Sequence, residues 1–386
     1  MYYNYGGDLM FEKYDGIIDI EQVLQDKYNY HFDGNFSNFY NQSFVELEAD
    51  GKSALFWIIY NDERFLFKPV EEFDYNVWGE LLSAEIAKEL GIPCALYRVG
   101  IFNGKLGIIS KSFLKKDDTL VLGSQIFQEF FNNFGDEASL FQNSKFLEEY
   151  QIPNFFLGLN SYDKKRYTFN FLNNLEQVKS ILDRDTKVNE KQVYEIMKNM
   201  TNMLLFDLIT LQGDRHPNNW GIIKNDDVTF SPLFDNGVSF GLGFPDMNRR
   251  CNDFRSELFN SMHSRNKKKL NSFIYQVRPN FTLSNKNVID VSTRLKDEIP
   301  KVLEELFYKL DFDIQTKITN IISNLSNDIL DKMIKNIEKM NNIKMSDDVY
   351  FYISSIFEIN INNLKEVIDN CWRNVNYESR KHNKSI

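Results

Sequence analysis

The chain has 386 residues, 42% hydrophobic and 26% charged, with a formal net charge of −10. That length exceeds one ordinary core and predicts two lobes, and the composition excludes global disorder. The acidic total argues against broad non-specific nucleic-acid binding, which needs many Lys and Arg facing phosphates.

Most of the 34 Phe and 19 Tyr are expected in the cores. The three cysteines, Cys94, Cys251 and Cys371, lie far apart and form no CxxC. A disulfide scaffold or a zinc site is therefore not expected, and a reducing compartment is. The opening residues, MYYNYGGDLMFEKYDG, include acidic residues and no basic-then-apolar run, so they do not read as a signal peptide. No apolar run approaches bilayer-crossing length. The expected location is the cytoplasm.

Residues 1–45 are aromatic and polar with little periodicity, and are expected to form an irregular extension packed on the adjoining domain. A β-meander is predicted over 45–70, with turn chemistry at the Asp-Gly of "ADGK" and at "NDER", ending at Lys68-Pro69. A helix comes next: Leu81, Leu82, Ile86 and Leu90 recur at helical spacing, and Gly91 with Pro93 stops it. A strand pair is expected over 95–113 around Asn103-Gly104. From about 122 the pattern turns helical, with 140–190 as a candidate insertion. The strongest helix carries Val193, Ile196, Met200, Met203, Leu204, Leu208 and Leu211, and delivers the chain to Gly213. Beyond 285 the chain reads as almost all helical, up to a polar end at 373–386 that is expected to fray. There is no repeat of fixed period.

The candidate chemistry lies after that strong helix, in "LQGDRHPNNWGII" and "SPLFDNGVSFG". Asp214, His216 and Asn219 occupy a loop at the helix end. Asp235 sits in a second turn, where Gly237 allows close backbone approach. A hairpin between the two loops is expected to bring Asn219 and Asp235 together. One amide and one carboxylate oxygen suit Mg²⁺, which takes few protein oxygens and completes its shell with phosphate and water. Asp214 could then accept a proton from an attacking hydroxyl. The bland alternative is that Asp and Asn are simply common in turns.

These residues resemble a known group. "DRHPNN" resembles the DxHxxN catalytic loop of HipA-like serine/threonine kinases, and also the DRHxxN loop of phosphatidylinositol 3-/4-kinases; "FDNG" resembles the metal-binding Asp turn of both. "FLFKPV" is similar to the strand with the phosphate-contacting Lys, and "WGELLSAEIAKELGIP" to the helix whose Glu pairs with it. The likeness covers roughly residues 45–245. It implies an α+β, two-lobed protein kinase-like fold: an N-lobe at 46–113 and a helical C-lobe at 114–386, with catalytic loops at 213–221 and 233–238.

By resemblance Lys68 contacts the nucleotide phosphates and pairs with Glu80, with Glu85 as the competing partner. Asp214 takes the catalytic-base position, and Asn219 and Asp235 hold the metal. His216 either braces the loop or faces the transferred phosphate. Arg215 pairs with a phosphorylated side chain or with Asp207. Gly51, Lys52 and Ser53 stand where the family covers the phosphates, though the full GxGxxG is missing, and a plain β-turn is the alternative. Ser110, Lys111, Ser112 and Phe113 form the hinge expected to hold adenine, with Lys111 where HipA-like proteins tend to carry Arg.

The implied cofactors are ATP and Mg²⁺, and the implied reaction is phosphoryl transfer to a protein Ser or Thr. The protein would be bacterial, or an effector delivered to a host cell. A protein substrate and an antitoxin or other regulatory protein are the expected partners. The alternatives are a phosphoinositide-type lipid kinase, an inert nucleotide-binding module of a toxin–antitoxin system, and nucleotidyl transfer. A basic stretch at 248–273, with Arg249, Arg250, Arg255, Arg265 and Lys267 to Lys269, reads either as a solvated helix face or as a site for an acidic segment, a phosphate or a lipid headgroup.

Overall fold

The computed structural model describes residues 9–47, 55–70, 73–134, 173–185, 187–241 and 299–382. In chain order the elements begin with α1 (Leu9–Lys13), β1 (Ile18–Asp19), α2 (Ile20–Tyr28), α3 (Phe36–Tyr40) and β2 (Val45–Leu47). Next come β3 (Phe56–Tyr60), β4 (Glu63–Pro69), α4 (Phe73–Glu89), β5 (Leu96–Phe102), β6 (Lys105–Lys111), β7 (Thr119–Leu122) and α5 (Gly123–Phe134). After these stand α6 (Leu175–Leu182), α7 (Glu190–Thr210), β8 (Gly221–Lys224) and β9 (Val228–Phe230). The last helices are α8 (Ile299–Lys309), α9 (Phe312–Asn324), α10 (Asn327–Asn341) and α11 (Asp347–His382). The fold is mixed α+β, with a β-rich unit and a largely helical one.

The units are not contiguous in sequence. The first takes the described residues up to Lys115, those from Pro232 to Gly241, and Leu325–Glu358. The second takes the described residues of Lys116–Ser231, those from Ile299 to Asn324, and those from Ile359 to His382. A single cut near residue 113 does not reproduce this division, because the Asp235 turn packs with the β-rich unit.

The first unit is built on a six-stranded sheet of order β1-β5-β6-β4-β3-β2. All pairs are antiparallel except β1–β5. The β3–β4 turn places Asn61 and Asp62 at φ 51° and 64°, and the β5–β6 turn places Asn103 and Gly104 at 49° and 68°. Two successive positive φ values are what a tight hairpin demands, and Asn, Asp and Gly tolerate them best.

Residues 9–47 are not irregular: they carry three helices and two strands. Met10, Ile20, Val23, Leu24 and Phe39 join Phe56, Phe65, Phe67 and Phe102 in one apolar core on this sheet. On β4 Phe65 and Phe67 are buried while Lys68 is exposed, the period-two alternation of a strand with one face on the core. The helix after β4 ends as expected, with Gly91 at φ 67° and the Ile92 N–H bonded to the Ala87 carbonyl at 2.8 Å.

The second unit holds the sheet β7-β8-β9 and α7. The periodic apolar positions of α7, from Val193 to Leu208, are buried, and Leu211 at φ 55° caps the helix. The amide of Asn360 donates to the Leu208 and Ile209 carbonyls, both at 3.0 Å, satisfying orphan acceptors of the last turn. Residues 373–382, expected to fray, continue α11 to His382. The expected 140–190 insertion lies partly outside the described residues; within it α6 and the start of α7 are helical. No helix among the described residues is long and apolar enough to cross a membrane.

Candidate functional site

In the first unit three elements converge on one turn. The strand β4 presents Lys68, whose Nζ lies 3.4 Å from Asp235 Oδ1, with both side chains 46% exposed. Asp235 adopts φ 54°. A non-glycine residue in this left-handed region stores strain that its surroundings must hold, and such positions cluster at functional sites. From α4 the buried Glu80 accepts the Asn236 N–H at 2.9 Å. Tyr97, on β5, lies close enough to Glu80 to help lower its carboxyl.

The turn sits hard against α4. A Cβ on Gly79 would stand 2.2 Å from the Gly237 carbonyl oxygen, so only glycine admits this approach. One turn further along α4, Ser83 Oγ donates to Ser239 Oγ at 2.9 Å in a buried contact. Gly79, Glu80 and Ser83 thus form one face of the helix against the turn. From the other side the Ala95 N–H bonds the Leu233 carbonyl and the Leu233 N–H the Pro93 carbonyl, each at 2.8 Å. The Asn236 amide donates to Cys94 Sγ at 3.6 Å.

Charge is tightly coupled here. Burial, and next the Asp235 charge, push the Glu80 carboxyl up to about 7, against the pull of Lys68 and the bonds from Asn236 and Tyr97. Burial works against the Lys68 ammonium, but Asp235 and then Glu80 outweigh it and hold Lys68 above its ordinary value. The ion pair of Lys68 is with Asp235; Glu80 acts on Lys68 through its field and binds the turn's backbone instead. Glu85, the competing partner by sequence, lies on another face of α4, 3.9 Å from Lys88.

The hinge residues divide. Ser110 and Lys111 lie within β6, laddered to β4 on one side and β5 on the other. The Lys111 side chain is buried and pairs with Glu63 at 2.8 Å. Ser112 still donates to the Arg64 carbonyl at 2.8 Å, and only from there does the backbone leave the sheet. The Phe113 ring lies 5.8 Å from that of Phe234, next to Asp235.

The second unit carries the other polar loop. Asp207 on α7 and Arg215 are both fully buried and joined by three contacts of 2.9 to 3.2 Å. Arg215 also donates to the Asn219 carbonyl at 2.9 Å. Burial lifts the Asp207 carboxyl to about 6, opposed by Arg215. Of the roles sequence allowed Arg215, the structure shows the pair with Asp207. Asn173 donates to the Arg215 carbonyl at 2.8 Å and accepts from the Trp220 indole at 2.7 Å.

On this frame stand Asp214, His216 and Asn219. The Asn219 amide nitrogen donates to the Asp214 carbonyl at 2.8 Å, which orients its oxygen the other way. His216 Nδ1 accepts the Asn218 N–H at 3.2 Å, and Nε2 lies 3.9 Å from Asp214 Oδ2. The expected hairpin between the loops is present as β8–β9, closed by the Ser231 N–H on the Gly221 carbonyl at 3.0 Å.

Gly51, Lys52, Ser53 and the basic stretch 248–273 lie outside the described residues. Among the described residues no cluster of three or more His, Cys, Asp and Glu could hold a metal. Sequence reasoning missed Tyr97, Gly79, Ser83 and Asn173.

No protein-family model and no curated protein matches the chain. Among solved structures it is similar to the Helicobacter pylori proinflammatory kinase CtkA, with 16% identity and a TM-score of 0.49 over 85% of this chain and 96% of that one. It is also similar to a chain of the Shewanella oneidensis toxin–antitoxin complex of HipA, HipB and operator DNA, with 12% identity and a TM-score of 0.40. That match covers 84% of this chain and 66% of the other.

Proposed function

We propose that the chain is an ATP- and Mg²⁺-dependent kinase that transfers the γ-phosphate to a protein Ser or Thr hydroxyl. The observation that supports this most is the Asp235 turn: a half-exposed carboxylate in a left-handed conformation, with a strand-borne ammonium at 3.4 Å and a buried carboxylate bonded to its backbone. Asp235 is a hard ligand of the kind Mg²⁺ takes before phosphate and water complete its shell, and by the resemblance Asn219 stays the second proposed ligand. Two carboxylates, Asp235 and Glu80, stand at this turn with one ammonium, Lys68, and a divalent cation would offset the surplus negative charge.

When bound, the metal neutralises charge on the β- and γ-phosphates. Lys68 has three donors on a flexible stem and would exchange the Asp235 carboxylate for phosphate oxygens. Glu80, through the Asn236 N–H, holds the turn so that Asp235 keeps one orientation. Asp214 would receive the acceptor's hydroxyl proton on its carboxylate, with His216 steadying it. Ser112 and Phe113, where the backbone leaves the sheet, are the proposed place for adenine, and Gly51, Lys52 and Ser53 remain the proposed phosphate cover.

Mass spectrometry after incubation with Mg-ATP and candidate protein acceptors tests the reading. A gain of about 80 Da on Ser or Thr is expected, and Lys68→Met should abolish it. The apo stability should hardly change, since an exposed pair contributes at most about 1 kcal/mol. Addition of a whole nucleotide would replace the reading with nucleotidyl transfer, and transfer to an inositol lipid alone with a lipid kinase. Full activity of Lys68→Met would remove Lys68 from the site.

A further inference from the structure

The helix α4 has a second working face. Leu81, Ala84, Glu85 and Lys88, at helical spacing, line a cavity of about 690 Å³ within the first unit. Its other walls are Phe11 and Glu12, Gly91 to Arg98 and, from α10, Ile337, Met340 and Asn341, with Glu12 exposed to solvent. That volume is in the range of small-molecule sites, which are mostly apolar with a few polar groups.

The polar groups on the wall differ in what they can offer. Arg98 spends its guanidinium on the Asn341 side chain and on the carbonyls of Phe11, Tyr14, Gly16 and Met340, at 2.9 to 3.2 Å. It has little left for a ligand. Glu85 is 16% exposed, and its pair with Lys88 is long at 3.9 Å, to a partner 72% exposed. A mostly covered carboxylate beside an apolar cavity is best complemented by a cation brought from outside. Burial raises the Glu85 carboxyl in keeping with that setting. Three wall residues also touch the segment that carries the Asp235 turn: Cys94 through the Asn236 amide, and Pro93 and Ala95 through their backbone bonds with Leu233.

We propose that this cavity is a second ligand site, which takes a small apolar molecule bearing an amine, with the ammonium on Glu85 and the apolar body between α4 and α10. Through Pro93, Cys94 and Ala95 its occupancy shifts the affinity of the Asp235 turn for metal and nucleotide. This consequence rests on the kinase reading, whereas the binding itself does not.

The test uses the full chain with naphthylethylamine and its neutral counterpart naphthylethanol, monitored by calorimetry. The amine should bind wild type saturably and roughly tenfold or more tighter than the alcohol. Glu85→Gln should erase that difference while keeping the alcohol's affinity. Ala84→Trp, which fills the cavity, should lose both ligands. Met340→Trp does the same from the opposite wall if Ala84→Trp does not fold. No saturable binding to wild type, equal binding to the filled variants, or an amine preference that survives Glu85→Gln would overturn the site. Mg-ATP titrations with and without saturating amine test the coupling: a changed affinity supports it, and an unchanged one overturns it. Amine binding without any Mg-ATP binding would sink the kinase reading and leave the amine site standing.

Discussion

Two acid–base pairs, one in each unit, use similar chemistry for opposite ends. Asp207 and Arg215 are sealed from solvent and joined by three hydrogen bonds. Lys68 and Asp235 are each 46% exposed and meet at a single distance of 3.4 Å. A buried bidentate pair cannot open without stranding a charge, so it can only brace. A half-exposed single contact between a flexible ammonium and a carboxylate breaks at little cost and can accept new partners on both sides. The molecule thus separates rigid charge, which shapes a loop, from exchangeable charge, to which the proposed function gives a ligand.

The largest effect is expected from breaking the rigid pair. Arg215→Met leaves Asp207 buried and uncompensated and removes the donor to the Asn219 carbonyl. The loss should be about 3–5 kcal/mol by denaturant unfolding, and adding Asp207→Leu should recover part of it. An unchanged midpoint for Arg215→Met would contradict the bracing role. Next comes Gly79→Ala, whose Cβ would meet backbone at 2.2 Å. The expected cost is about 1–3 kcal/mol, together with weakened Mg-ATP binding because the Asp235 turn must shift. Stability lost with binding intact would mean that the turn's position does not matter to the ligand.

A pH dependence, read as a slope rather than a single loss, is the third expectation. The Glu80 carboxyl stands at about 7 in the folded chain against an ordinary 4.5. The folded state therefore holds more protons than the unfolded one across that window. Glu80 imposes no penalty below it, and an increasing one as pH rises through it. Glu80→Gln does not titrate, so its stability relative to wild type should rise between about pH 4.5 and 7, by at most ~1.4 kcal/mol per pH unit, and level off above. Parallel curves for the two proteins would show that Glu80 carries no such penalty.

The range of each interaction decides how much of it the sequence can reveal. The strands and α4 announce themselves by turn residues, alternation and a Gly–Pro stop, all of which act over a few positions. Asp214, Asn219 and Asp235 stand out because polar residues crowd two short loops after a buried helix. The N-terminal 9–47 stays opaque because α1 and α3 have only five residues each, too few to show a period. The choice between Glu80 and Glu85 is closed to sequence, since both lie on one helix and only its packing says which face meets the turn. Tyr97 and the Ser83–Ser239 contact depend on residues far apart in the chain, and no local pattern encodes them. Ser110 and Lys111 fall in both the expected strand pair and the expected hinge, and only the non-local β4–β6 register shows that both belong to the strand.

The division of labour between the two aspartates is tested most directly by calorimetry of Mg-ATP binding to Asp235→Asn and Asp214→Asn, run beside turnover assays. Asp235→Asn should lose metal-dependent nucleotide binding and turnover together. Asp214→Asn should keep binding while turnover falls about a hundred- to ten-thousandfold, the usual contribution of a general base. Binding retained by Asp235→Asn and lost by Asp214→Asn would reverse the two roles. Binding and turnover untouched in both would make the two loops structural turns and contradict the account.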